Sequence, residues 1–367
     1  MSRPTHVVLA AGGTAGHIEP ALNLADALKL EEPGIEITVI GSERGLETSL
    51  VPGRGYALLT VPTVPMPRTL SVDLVTVAPR VRRATKQTVQ YLKQLKADVV
   101  VGFGGYASLP SYLAARKVGC GLVIHEGNAK PGLANRVGAR FTSDVFVSVP
   151  GSLAGTTLGL PLRPVIASLD RAQSRTQARD FFGLDQVGPV LLVFGGSQGA
   201  QHINEVLAQA LPGLLAAGVQ VLHAYGPRNA APVLASGYVA VPYLDRMDLA
   251  YAAADLGLTR AGGMTVAEVA AVGLPTIFVP LPIGNGEQRL NALGVVQAGG
   301  GILVDNSALT ADWLVGTIAS LVADDEKLQF MSEAAQRAGV RDAGQRLAIE
   351  VLRVAHRYRS SIEGATP

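Results

Sequence analysis

Paired glycines followed by a hydroxyl residue occur twice in this chain, each time directly after a short apolar run. The first pair stands in Gly12–Thr14 and the second in Gly195–Ser197. Such a turn at a helix N-terminus presents backbone N–H groups that bind phosphate oxygens. Neither pair is followed by the Gly-Lys-Ser/Thr of a P-loop, and the first lacks the Gly-x-Gly-x-x-Gly spacing of nicotinamide enzymes. The repeated phrase predicts two similar α/β domains, each with an anion-binding turn.

Two further glycine pairs follow apolar runs, Gly104-Gly105 and Gly262-Gly263. The second of these predicts a diphosphate site, because free N–H groups around Gly263–Val266 would lie at the positive end of a helix. Glu268 follows about one turn later and is able to accept hydrogen bonds from both hydroxyls of a ribose. On the residues alone, a capping-box partner or a favourable charge on the helix dipole explains Glu268 slightly better.

Two residues are candidates for a general base. Glu126 lies in His125–Asn128, which follows an apolar run at the predicted carboxyl end of a strand, where α/β active sites are found. His17 follows the first glycine turn. Either side chain would take a proton from a substrate hydroxyl that it reaches, and the sequence does not choose between them. The histidines show no ligand spacing with Cys120 or with carboxylates, so neither a metal nor a cofactor is expected.

Length and composition limit the function classes. A chain of 367 residues predicts two domains, and 48% hydrophobic with 16% charged residues is typical of a globular protein. A net charge of +2 argues against a nucleic-acid partner, and the single cysteine excludes an internal disulfide. Val7–Ala11 is too short for a secretory signal, and no apolar run is long enough to span a bilayer. Any membrane contact is therefore expected at the surface.

Apolar runs alternate with helical segments, which predicts doubly wound parallel sheets. The predicted strands are Thr5–Ala10, Ile35–Ile40, Asp98–Val101, Gly121–His125, Val145–Val147, Val190–Phe194, Gln220–His223, Leu256–Leu258, Thr276–Val279 and Gly301–Val304. The main predicted helices are Ile18–Leu30, Ser174–Phe182, Ala200–Leu211 and Gln345–Tyr358, with a helical pattern from Thr310 onwards. Val149–Pro164, rich in Gly, Pro, Ser and Thr, predicts the interdomain connection, and a strand-like run follows it.

A basic segment follows an apolar one in the first half of the chain. Val75–Ala97 carries six cations and an apolar stripe at helical spacing, with no acidic residue between Asp73 and Asp98. Residues 58–70 read as an apolar loop interrupted by prolines. Either the charges form a solvated face, or the two segments dock on an anionic membrane or a phosphorylated lipid.

Several motifs in this order resemble the MurG family of glycosyltransferases over almost the whole chain. They are Gly12–His17, Phe103–Tyr106, His125–Asn128, Gly195–Gly199, Arg260–Glu268 and Glu287–Ala292. The resemblance implies a GT-B fold, α/β with two Rossmann-like domains facing a deep cleft. Residues 1–163 would bind the acceptor and the membrane, residues 164–341 would bind the donor, and a helix in residues 342–367 would pack back on the first domain.

The resemblance also implies substrates and site residues. The family transfers N-acetylglucosamine from UDP-N-acetylglucosamine to lipid I, undecaprenyl-pyrophosphoryl-N-acetylmuramyl pentapeptide, giving lipid II. The enzyme would then lie peripherally on the cytoplasmic face of the membrane. Gly104, Gly105 and Tyr106 would bind the acceptor. The implied donor-binding residues are Thr14, Ala15, Gly16, Asn128, Arg163, Ser197, Leu244, Gly263, Met264, Thr265, Val266, Ala267, Glu268 and Gln288.

Three positions depart from the family's pattern. Ala15 replaces a frequent glycine, Gly127 a frequent glutamine, and Glu287 a frequent His or Gln. The first two substitutions are small, whereas Glu287 would bring a charge near the donor sugar. Two alternatives stay open, a UDP-N-acetylglucosamine 2-epimerase-like enzyme and a non-catalytic subunit that binds UDP-sugars.

Overall fold

The computed structural model describes residues 3–63, 73–196, 200–282 and 285–363, without the side chains of residues 73–77 and 361–363. The chain divides into two compact units. Unit 1 comprises Met1–Leu162 and Asp342–Pro367, and unit 2 comprises Arg163–Arg341. The division falls one residue earlier than the sequence predicted, so that Arg163 belongs to unit 2.

Unit 1 contains a parallel sheet of seven strands in the order β3-β2-β1-β4-β5-β6-β7. The strands are β1 (His6–Ala11), β2 (Glu36–Ser42), β3 (Ala57–Val61), β4 (Val99–Gly104), β5 (Gly121–Glu126), β6 (Val145–Val147) and β7 (Thr156–Thr157). Its helices are α1 (Ala15–Glu31), α2 (Glu47–Gly53), α3 (Asp73–Leu95), α4 (Ser108–Val118), α5 (Leu133–Gly138) and, from the C-terminal segment, α14 (Ala343–Glu363).

Unit 2 contains a parallel sheet of six strands in the order β10-β9-β8-β11-β12-β13. The strands are β8 (Val190–Phe194), β9 (Gln220–Ala224), β10 (Tyr238–Val241), β11 (Leu256–Thr259), β12 (Thr276–Phe278) and β13 (Gly301–Leu303). Its helices are α6 (Pro164–Ala167), α7 (Arg171–Phe182), α8 (Gln201–Ala216), α9 (Met247–Ala253), α10 (Gly263–Ala271), α11 (Glu287–Gln297), α12 (Ala311–Val322) and α13 (Asp325–Ala338).

The central strands are apolar throughout because helices cover both faces of each sheet. In β1, Val7 and Leu9 pack in a cluster with residues of α1 and α14. Val8 and Ala10 point to the other face and pack in a cluster with residues of α3 and α4. The alternation of side chains along a strand therefore joins α14 to the core of unit 1.

The ten strands predicted by residue range are all present, with ends displaced by a few residues, but β3, β7 and β10 were not predicted. The interpretation of residues 58–70 as a loop is wrong for Ala57–Val61, which forms β3 beside β2; residues 64–72 lie outside the described part. The strand expected after the connection is also wrong. Pro164–Ala167 forms α6, because proline at the first helical position has its backbone angle already set for a helix.

The apolar stripe of α3 faces the protein interior. Ala84 and Leu92 are fully buried in the core of unit 1, and Val81 and Leu95 pack against it. The cations of α3 that the structure describes are exposed, namely Arg80, Arg82, Arg83, Lys86, Lys93 and the adjoining Lys96. In the part of the chain that is described, no helix has the length and apolar character needed to cross a bilayer.

Candidate functional site

The first glycine turn joins β1 to α1. Gly13 has a φ of +90°, and Thr14 is the extended residue before the helix. The Thr14 hydroxyl does not cap the helix and instead lies 3.1 Å from His17 Nδ1. The N–H groups at the start of α1, including those of Ala15 and Gly16, therefore have no side-chain cap and point outward, as an anion or a hydroxyl ligand requires.

The turn after β4 packs against the turn after β1, because these strands are neighbours in the sheet. Gly105 has a φ of +87°, and a Cβ atom there would lie 2.0 Å from the carbonyl oxygen of Gly12. A Cβ on Gly104 would lie 3.2 Å from the His17 ring, and one on Gly13 would lie 3.3 Å from the Tyr106 ring. The structure thus brings His17 together with the predicted acceptor residues, and only glycine permits this close approach.

His17 is partly buried, and its surroundings favour the neutral imidazole. Burial lowers the pKa of its imidazole, and a hydrogen bond with the backbone of Gly12 raises that pKa by a smaller amount. Burial lowers a histidine pKa because the charged form loses its hydration. A neutral imidazole has one unprotonated nitrogen, so His17 has the protonation state of a general base.

Glu126 is bonded differently from what a general base requires. Its Oε1 accepts the Asn128 N–H at 2.9 Å, and its Oε2 accepts the Gly132 N–H and the Asn135 Nδ2 amide, both at 3.0 Å. The side chain is buried, and burial raises the pKa of its carboxyl group against the lowering effect of these donors. Glu126 therefore holds the loop that carries Asn128.

Tyr112 and Asn135 extend this network, and neither was predicted from the sequence. The Tyr112 hydroxyl donates to Asn135 Oδ1 at 2.6 Å, while Asn135 Nδ2 also contacts the His125 carbonyl at 3.1 Å. His125 is itself buried, with Nε2 2.9 Å from the Gly159 carbonyl, and burial lowers its pKa to about 4. The polar residues at the end of β5 thus form a support for the loop.

In unit 2 the N-terminus of α10 is uncapped. Gly262 precedes the helix in an extended conformation, and no side chain bonds to the first helical N–H groups. The expectation that the N–H of Val266 is free is wrong, because it donates to the Gly262 carbonyl at 2.9 Å. The N–H groups of Gly263, Met264 and Thr265 lie in the uncapped first turn, where the helix dipole favours a bound anion.

Glu268 is buried on α10 between Tyr251, which lies on α9, and Arg163, the residue directly before α6. Arg163 Nη2 lies 3.2 Å from its Oε1, and the Tyr251 hydroxyl donates to its Oε2 at 2.8 Å. The capping-box interpretation of Glu268 is therefore wrong, since both oxygens face side chains distant in sequence. The contact joins two residues of the predicted donor set, and Tyr251 is a further partner of Glu268 that was not predicted from the sequence.

Thr14, Ala15, Gly16 and Asn128 of the predicted donor set belong to unit 1, and its other members lie elsewhere in unit 2. The side-chain carbonyl of Gln288 on α11 accepts the Leu281 N–H at 2.9 Å and so fixes the backbone at Leu281. Leu244 is buried after β10, and Glu287 is the first residue of α11. Ser197 lies outside the described residues.

Arg260 joins three loops of unit 2, although no role was predicted for its side chain from the sequence. Its Nη1 donates to the carbonyls of Val279 and Pro280 at 3.1 and 3.3 Å and to Asn306 Oδ1 at 2.7 Å. The loops after β11, β12 and β13 are thereby held together. Among the described residues, no cluster of His, Cys, Asp and Glu is arranged to hold a metal ion.

Comparison with known proteins identifies the family. Residues 7–147 match the Glycosyltransferase family 28 N-terminal domain, and residues 190–347 match the Glycosyltransferase family 28 C-terminal domain. The UDP-N-acetylglucosamine--N-acetylmuramyl-(pentapeptide) pyrophosphoryl-undecaprenol N-acetylglucosamine transferase of Streptomyces avermitilis is 57% identical over 345 residues, covering 92% of this chain and 95% of that protein. The chain belongs to the MurG family.

Two further relatives agree with this assignment. The transferase of the same name from Mycolicibacterium smegmatis is 55% identical and covers 97% of this chain and 96% of its own. The crystal structure of Acinetobacter baumannii MurG matches with a TM-score of 0.76 at 26% identity, covering 95% of this chain and all of that one. The two parallel-sheet units are thus the N- and C-terminal domains of a GT-B glycosyltransferase, and the chain is a hexosyltransferase.

Proposed function

We propose that the protein transfers N-acetylglucosamine from UDP-N-acetylglucosamine to the 4-hydroxyl of the muramyl sugar of lipid I, giving lipid II for peptidoglycan synthesis. Family membership supports the reaction and both substrates. The observation that carries the residue assignment is the Arg163–Glu268–Tyr251 contact beside the uncapped N-terminus of α10. A carboxylate held rigidly within one helical turn of a free anion site suits a nucleoside diphosphate, which carries both ribose hydroxyls and phosphates.

On the donor side, the first turn of α10 binds the diphosphate, and Glu268 accepts the ribose hydroxyls. Arg163 and Tyr251 hold the Glu268 side chain before the donor arrives, so little ordering is lost on binding. Gln288 and the loop that it fixes bind the donor sugar, Leu244 contacts the uracil, and Ser197 contacts the nucleotide sugar. As UDP departs, the helix N-terminus stabilises the charge that develops on the diphosphate.

On the acceptor side, His17 takes the proton from the 4-hydroxyl as its oxygen attacks the anomeric carbon. The bond between that carbon and the β-phosphate oxygen breaks, and UDP leaves with the electron pair. The linkage changes from α to β, so the reaction inverts configuration in a single displacement. Gly104, Gly105 and Tyr106 line the same surface as His17 and bind the acceptor, whereas Glu126 holds Asn128 and Thr14–Gly16 contact the donor.

The exposed cations of α3 support contact with the membrane. Because the apolar face of α3 is buried in unit 1, its cations attract anionic lipid headgroups electrostatically, at about 1 kcal/mol for each Lys or Arg near the surface. We propose that unit 1 rests peripherally on the cytoplasmic face of the membrane, where lipid I is accessible. No nucleic-acid partner and no cofactor form part of the proposal.

The test is release of UDP from UDP-N-acetylglucosamine with and without a short-chain lipid I analogue, with the lipid product analysed by mass spectrometry. We expect release that depends on the acceptor, together with a product heavier by one N-acetylhexosamine. Turnover without acceptor would instead favour an epimerase-like or hydrolytic enzyme. Donor binding without any turnover would favour a non-catalytic subunit that binds UDP-sugars.

A further inference from the structure

Glu47 is a buried carboxylate beside the first glycine turn, and the function proposed above gives it no role. It is the first residue of α2 and is fully buried. Its Oε2 accepts the Gly13 N–H at 3.2 Å, and its Oε1 accepts the Ser42 N–H at 2.8 Å. The Ser42 hydroxyl also donates to Oε1. One end of this carboxylate is thus attached to β2 and the other to the candidate site.

Three glycines leave the space that the Glu47 side chain fills. A Cβ atom on Gly12 would lie 2.9 Å from Oε1, one on Gly41 would lie 2.7 Å from Cγ, and one on Gly45 would lie 2.2 Å from Oε2. Backbone from two different loops and the end of β2 therefore encloses one side chain. Such close packing allows the carboxylate very little movement.

Among the described residues, no cation forms an ion pair with Glu47. Its charge is stabilised by the two N–H donors, by the Ser42 hydroxyl and by the N-terminal end of α2, on which it stands. Burying a carboxylate without a cation is costly, and the cost is tolerated only where hydrogen bonds compensate for it. The Gly13 N–H is one of those necessary bonds.

The bond to Gly13 also determines where the Gly12 carbonyl points. The Gly13 N–H and the Gly12 carbonyl belong to the same peptide unit, and a peptide unit is planar. Fixing the N–H on Glu47 therefore fixes the carbonyl, which points in the opposite direction within the same plane. That carbonyl packs against Gly105, whose neighbour Gly104 packs against the His17 ring, and the Gly12 backbone raises the pKa of His17. One peptide thus connects Glu47 to His17.

We propose that Glu47 is a positioning residue that orients His17 through the Gly12–Gly13 peptide. The inference rests on the proposed role of His17 as the base. Burial and the Gly12 backbone are the two influences on the pKa of His17, one lowering and one raising it. Releasing the peptide from Glu47 removes the second influence, so the pKa of His17 falls further. The base then becomes weaker, and its position relative to the acceptor is no longer fixed.

The first experiment is an NMR titration of the His17 imidazole in the full-length protein, with the resonance assigned by comparison with His17→Gln. We expect the His17 pKa to be lower in Glu47→Gln than in the wild type and unchanged in the control Glu43→Gln, which alters an exposed carboxylate four residues away. An unchanged pKa in Glu47→Gln would overturn the proposal. Because the titration needs no turnover, it decides the question even if the wild-type protein transfers no sugar.

Steady-state kinetics, with Gly45→Ala and Gly53→Ala as a second pair of variants, distinguish a positioning role of Glu47 from a role in folding alone. We expect Glu47→Gln to lower kcat about tenfold to a hundredfold with the donor KM unchanged, because small misplacements of a base cost this much. Gly45→Ala should do the same while keeping the carboxylate, since its methyl group displaces Oε2; Gly53→Ala, in open space on α2, should match the wild type. Wild-type kcat in both Glu47→Gln and Gly45→Ala would contradict the positioning role.

Discussion

Arg163 and Glu268 lie 105 residues apart in the chain, and their side chains meet at 3.2 Å in unit 2. Their side chains are 27% and 9% exposed, so water screens this ion pair only partly. Arg163 is the first residue of unit 2, directly after the chain leaves unit 1. The first residue of unit 2 therefore holds the carboxylate that we propose to bind the ribose.

Glu268→Ala should raise the donor KM about thirtyfold, since a charge-assisted hydrogen bond contributes about 2 kcal/mol. Glu333→Ala is the matched control, because it removes an exposed carboxylate paired with Arg337 on the same unit. The measurement is initial rate against donor concentration, with UDP binding followed by calorimetry. Donor affinity equal to that of the wild type would remove the ribose assignment of Glu268.

The acidic limb of the dependence of kcat on pH should reflect the protonation of His17. A base works when neutral, so activity is lost as pH falls through the His17 pKa, which burial lowers. The midpoint should therefore lie below about 6.5, the ordinary histidine value. His17→Gln should abolish this limb and lower kcat by about a hundredfold or more, while the exposed His356→Gln should leave both unchanged. A midpoint above the ordinary value would argue against His17 as the base.

Glu126 should make the stability of unit 1 depend on pH. Its carboxyl pKa is raised in the folded state, so between the unfolded value of about 4.3 and the raised value the folded protein binds more protons. Its contribution to stability is therefore fully present below that window and decreases as pH rises through it. Relative to Glu126→Gln, the wild type should lose thermal stability across the window, measured by circular dichroism. If the wild type instead gained thermal stability relative to Glu126→Gln as pH rises, the pKa of Glu126 would be lowered in the folded state.

Arg179 should be essential for the stability of unit 2. Its side chain is completely buried, pairs with Asp255 at 3.1 Å and donates to the carbonyls of Asp185, Gln186 and Gly188. Arg179→Met removes a hydrogen-bond donor from that carboxylate and from those carbonyls. We expect it to lower the free energy of unfolding by about 3–5 kcal/mol. Trp313, the single tryptophan, lies in unit 2 and reports unfolding by fluorescence.

Arg175→Met is the control for this experiment. Arg175 pairs with the same Asp255 carboxylate at 2.8 Å, but its side chain is 36% exposed. Water screens that pair, so we expect Arg175→Met to lower the free energy of unfolding by about 1 kcal/mol or less. Equal losses in the two variants would mean that burial does not account for the importance of Arg179.

Replacing Arg80, Arg82 and Arg83 together by glutamine should weaken binding to anionic vesicles. Removing three surface cations should weaken the free energy of membrane binding by about 3 kcal/mol at low salt. The partition coefficient should then fall roughly a hundredfold. The exposed set Arg228, Arg289 and Arg337 on unit 2 is the charge-matched control. Co-sedimentation should also weaken for the wild type as salt rises. Equal binding by both triple variants would exclude the basic face of α3 as the docking surface.

The sequence determined which elements form, because buried parallel strands are long apolar runs and strand-to-helix turns need glycine. It therefore predicted the strands of both sheet centres and the glycine turns. It did not predict three strands at sheet edges, which are short or only half-buried. Both residues of β7 are exposed, and β10 has one buried residue among four. The segment Ala57–Val61 is likewise exposed or partly buried except for its last residue, so its apolar pattern is weak.

The choice between His17 and Glu126 depended on tertiary structure. Both residues follow strands at positions typical of a base, and residue type alone does not distinguish them. We propose His17 on the basis of packing, since Glu126 accepts N–H groups from the loop that it holds, whereas His17 lies against the predicted acceptor glycines. The roles of Glu47, Tyr251 and Arg260 likewise arise only when distant segments meet, because each role is defined by its partners and not by its spacing in the chain.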